Sequence, residues 1–92
     1  PVTVNASFKM NLSSSFWQAK ELITDLIRTA PGVEASAPID VLLSSIHEGA
    51  QVVQISFGVK AGHQPEQVLS VVLEEWVKSA VKAQILLVGG PT

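Results

Sequence analysis

At 92 residues the chain has room for one domain and one compact core. Six basic residues against eight acidic ones leave a formal net charge of −2, and Lys9, Lys20, Arg28, Lys60, Lys78 and Lys82 are scattered. That distribution argues against nucleic acid as a partner, which needs a basic patch to displace phosphate counterions, and the absence of cysteine excludes disulfides, thiolate metal sites and cysteine nucleophiles.

Residues 2–10 alternate, with Val2, Val4, Ala6, Phe8 and Met10 set against Thr3, Asn5, Ser7 and Lys9. This is the period of a strand with one buried face. Residues 11–15 break the alternation and offer serine hydroxyls as helix caps. Over residues 16–29 the recurrence of Ala19, Leu22, Ile23, Leu26 and Ile27 predicts an amphipathic helix, which Pro31 and Gly32 end. Residues 33–38 read as a loop and residues 39–46 as a second strand. Ile46 falls out of phase there unless a bulge near Ser44 and Ser45 restores it.

Residues 47–50 are short enough for a hairpin turn, with Gly49 at positive φ. The third strand, 51–60, places Val53, Ile55, Phe57 and Val59 on one face and Gln54 and Ser56 on the other. Pro65 suits the first position of a second helix reaching residue 83. Its buried row is Val68, Val72, Trp76 and Ala80, and Glu74 and Lys78 have the favourable orientation for an ion pair. Residues 84–88 read as a fourth strand, ended by Gly89, Gly90 and Pro91.

The order predicts an α+β fold: a ferredoxin-like split β-α-β-β-α-β arrangement, a four-stranded antiparallel sheet with two helices on one face. Right-handed crossovers would place strands one and three in the middle. The fourth strand is apolar on both sides, which is unusual for an edge in water. Leu86 and Val88 are therefore candidate subunit contacts. Trp17 joins them, because Phe16 and Trp17 cannot both point inward. A hydrophobic fraction of 47% with 15% charged residues fits either a partner-covered surface or a dense core.

Residues able to carry chemistry are few. His47 and His63 fall in loops and read as surface histidines rather than a metal pair with Glu48. Ser13, Ser14 and Ser15 lack the glycines and lysine of a phosphate-binding loop. Glu21, Asp25, Glu74 and Glu75 occupy solvent-facing helix positions rather than a shared cleft. The open sheet face has no aromatic residue for stacking RNA bases. The expectation is a non-enzymatic domain with no catalytic residue, cofactor or metal.

A family resemblance extends this reading. The alternating strand and its polar break lead to a helix carrying Ala19, Leu22-Ile23 and Leu26-Ile27. Pro31-Gly32-Val33, then Pro38 and Val41 entering a strand, a hairpin and a last helix follow. Together they resemble the C-terminal cytoplasmic domain of the small-conductance mechanosensitive channel family. The resemblance implies a homo-oligomeric membrane channel, heptameric, in which this piece lines a cytoplasmic cage. It implies the cytoplasmic side of a cell membrane, the inner one in a bacterium. Membrane contact would come only through segments absent here, so residues 1–92 would be one domain excised from a longer membrane protein, as the start at Pro1 also suggests. No family site residue carries over. The competing expectation is a soluble regulatory module that binds a small ligand or a partner protein.

Overall fold

The computed structural model describes residues 2–88. β1 (Val2–Asn11) leads into α1 (Phe16–Thr29), β2 (Asp40–His47), β3 (Ala50–Val59), α2 (Pro65–Lys82) and the two residues of β4 (Leu87–Val88). The expected four-stranded sheet is corrected. A three-stranded antiparallel sheet, β2-β3-β1, carries the fold, and β4 adds only a two-residue pairing opposite Lys9 and Met10 at the β1 edge.

The end of α2 explains the shortfall. Gln84 takes a positive φ of 61°, and its N–H donates to the carbonyl of Val81 at 3.1 Å. The Ile85 N–H reaches back to Ala80 at 2.8 Å, and Ile85 and Ala80 are both buried. These are the two bonds and the apolar contact of a Schellman cap. Residues that alternate like a strand are thus consumed in ending a helix. Leu86 is held next, its N–H donating to Ser14 Oγ (2.9 Å) and its carbonyl accepting from Asn11 (2.7 Å). The expected terminator Gly89-Gly90-Pro91 lies outside the described residues.

Both helices pack on one sheet face. The even residues of β1 and the odd residues of β3 turn toward them, and Met10, Val53, Ile55, Phe57 and Val59 are buried with Ala19, Ile23 and Ile27 of α1 and Val68, Val72, Trp76 and Ala80 of α2. Thr3, Asn5, Ser7 and Gln54 stand on the opposite, open face. The Phe8 and Trp76 rings meet at 5.3 Å between centroids, fixing α2 over β1.

The turns follow local chemistry. Ser15 caps α1, its Oγ accepting from the Gln18 N–H at 3.2 Å. The β2–β3 turn has Gly49 at φ 77° as expected, but Glu48 also takes φ 50°. Two adjacent left-handed residues match the twist of the flanking strands, which favours this turn despite the cost at Glu48. The register of β2 against β3 shifts between Leu43 and Ser45, so the bulge lies at Ser44. Gly32, at φ 85°, turns the chain after α1, and its carbonyl accepts from Lys60 at 2.8 Å.

Candidate functional site

The groups that could carry chemistry do not converge. His47 sits at the β2–β3 turn, its Nε2 3.5 Å from Glu48 Oε1, with both side chains largely in water. His63 lies at the other end of the sheet, beside Gly32. Among the described residues no group of three histidine, aspartate or glutamate side chains is placed to hold a metal. The serines of residues 13–15 serve the β1–α1 connection. Ser13 binds the Asn11 Oδ1, Ser14 holds Leu86 and Ser15 caps α1.

The acidic helix residues form ion pairs other than those expected. Asp25 pairs with Arg28 at 3.1 Å. Glu75, not Glu74, takes Lys78 at 3.2 Å. Both pairs span one turn and lie open to solvent, so neither contributes much. The Glu34 carboxyl is held below its usual range. Ser36 Oγ donates to it at 3.0 Å, the Ser36 N–H adds a second bond, and the Lys60 charge acts from farther away.

Gln51 was read only as the start of a strand, but it organises one end of the fold. It is buried, and its Nε2 donates to the carbonyls of Asn11 (3.1 Å) and Ser14 (2.9 Å). The pattern that could have revealed it is a glutamine in phase with Val53, Ile55 and Phe57, since a polar residue on a buried face must find partners.

What the surface does present is apolar. Trp17 is 71% exposed with Phe16 tucked in beside it, and Lys20 Nζ lies 5.5 Å from its ring centre. Leu86 is exposed next to the β1–α1 loop. Val88 pairs through its backbone with Lys9, while its side chain lies outside what the structure describes. On β2, Leu42, Leu43 and Ile46 are exposed, and on α2 so are Val77 and Val81. Leu86 does not form one patch with the exposed β2 side chains, because β2 and β4 lie at opposite edges of the sheet.

The open sheet face carries a shallow concavity bordered by Asn5, Ser7, Asp40, Leu42, Gln54 and Ser56. It is open and of mixed character, with Ala6, Leu42 and Ile55 among its polar neighbours and a single carboxylate, Asp40, at its rim. No protein-family model matches the chain, and no curated protein matches it. Among the described residues no helix is long and apolar enough to cross a membrane.

Proposed function

We propose that the chain is a non-catalytic assembly domain. In the specific form suggested by the sequence resemblance, it belongs to the cytoplasmic cage of a homo-oligomeric mechanosensitive channel. The observation that supports assembly is the distribution of uncovered apolar side chains. Trp17, Leu42, Ile46, Val77, Val81 and Leu86 stand in water on helix flanks and sheet edges. Of these, Val77 and Val81 lie one turn apart on α2, and neighbouring exposed apolar side chains of that kind are what meets another protein surface. The channel assignment draws its support from the residues quoted above, from Ala19 through Val41.

Two experiments test this reading. The gene product upstream of Pro1 should contain several apolar spans of about 20 residues. Leu86→Lys in the full-length protein should lower the oligomer mass measured by light scattering while this domain stays folded. An unchanged mass argues against docking at Leu86, and an upstream sequence without apolar spans ends the channel reading.

The concavity on the open sheet face favours a second reading, a regulatory module for a small ligand. It requires ligand-dependent amide shifts at Asn5, Gln54 and Ser56.

A further inference from the structure

We propose that the β1–α1 loop is a conformational coupler. The loop, the Gln51 amide and the segment Ile85–Leu86 open and close as one unit, so that a disturbance at the end of α2 is felt at the start of β3. Every bond of the unit lies between residues 11 and 86. The inference does not depend on the channel reading.

Two loop residues bond in both directions. Toward the interior, the carbonyls of Asn11 and Ser14 accept from Gln51 Nε2 at 3.1 and 2.9 Å. Toward the end of α2, the Asn11 N–H donates to the Leu86 carbonyl at 2.7 Å, and Ser14 Oγ accepts from the Leu86 N–H at 2.9 Å. Asn11 and Ser14 therefore cannot draw away from one partner without disturbing their bonds to the other. Among the described residues no hydrogen bond joins Gln51 to Leu86 directly, so what links them passes through the loop.

The loop is braced well enough to transmit a shift. The Ser14 N–H closes a turn on the Asn11 carbonyl at 3.0 Å. Asn11 Oδ1 accepts from the N–H of Ser13 at 2.9 Å and from its hydroxyl at 2.8 Å, the bonding of an Asx turn. Ser15 follows at once as the cap of α1. A segment bonded to itself in this way moves as a body.

The two sides differ in exposure, and that assigns their roles. Leu86 is 56% exposed, and its bond to Ser14 stands at the surface, where water competes for both groups. Gln51 is 7% exposed, so its amide finds no ready replacement for a lost carbonyl. The Leu86 side is where opening starts, and Gln51 is the lock that opposes it. Both sides are tied to the core. Ile85 is buried beside Ala80 under the α2 cap, and Gln51 lies opposite Met10 in β1 and Ile46 in β2.

Hydrogen exchange of the 92-residue chain, followed by NMR, tests the coupling. Ser14→Ala deletes the acceptor for Leu86 but keeps the Ser14 carbonyl, so it removes no bond to Gln51. The Gln51 side-chain NH2 protons should still exchange with water at least about fivefold faster, the scale of coupling within one hydrogen-bond network. Conversely, Gln51→Ala removes no bond to Leu86, yet the Leu86 and Asn11 amides should speed up by at least about fivefold. The buried helix-centre amides of Ile23 and Val72 report global unfolding, and each change is taken in excess of theirs. Two results overturn the proposal. One is Gln51 NH2 exchange in Ser14→Ala that keeps its original rate or merely follows Ile23 and Val72. The other is a Leu86 amide indifferent to Gln51→Ala. Should one variant not fold, the other decides alone. None of these outcomes bears on whether the full-length protein is a channel or whether a partner docks at Leu86.

Discussion

Gln51 shows how one polar side chain can hold a connection in place. Its amide reaches two carbonyls on either side of the β1–α1 turn, and no neighbouring side chain duplicates those bonds. Gln51→Ala removes the bond to the Ser14 carbonyl and leaves the Asn11 carbonyl only the Ser14 N–H, and should cost about 1–2 kcal/mol in chemical denaturation. Gln51→Leu should do no better, because packing is not what the position supplies. Glu34 acts through ionisation instead. Hydrogen bonds from Ser36 hold its folded-state carboxyl below the ordinary value. Its contribution is therefore present above the unfolded carboxyl's titration and fades as pH falls through the folded one. Ser36→Ala should move the Glu34 titration, followed by carboxyl NMR, back up toward the ordinary glutamate range. No movement would show that the Ser36 bonds do not govern it.

At the level of elements, the end of α2 decides the shape of the sheet edge. Gln84 occupies a left-handed position that a side chain normally avoids, and it is tolerated because the cap satisfies the carbonyls of Ala80 and Val81. Gln84→Gly removes the steric cost without touching a core contact and should stabilise the fold by about 0.5–1 kcal/mol, read from the denaturation midpoint. A loss of stability would mean that the Gln84 side chain contributes something beyond the cap. The same cap uses up residues 84–86 and delays the start of β4 to Leu87.

For the whole molecule the result is a domain whose two helices cover one face of the sheet and leave the other open. A domain of this size has little stability to spare, and any partner that binds only the folded form raises it by mass action. The core itself, from Ile23 and Ile27 through Val53, Ile55 and Phe57 to Val72 and Trp76, lies within this one domain.

Local pattern alone determined both helices, the three long strands, the Ser44 bulge and the inward faces of β1 and β3, because burial imposes periods of 3.6 and 2 on any chain that forms them. Trp76, in register with Val68 and Val72, was legible for the same reason. The fate of residues 84–88 was not, since an apolar run looks alike whether it extends a sheet or closes a helix against the core. Only the tertiary structure decided between those uses, by offering Ile85 a buried place beside Ala80 and Leu86 a partner in Ser14. Gln51 was hidden likewise: a buried amide takes its role from carbonyls brought up by another segment.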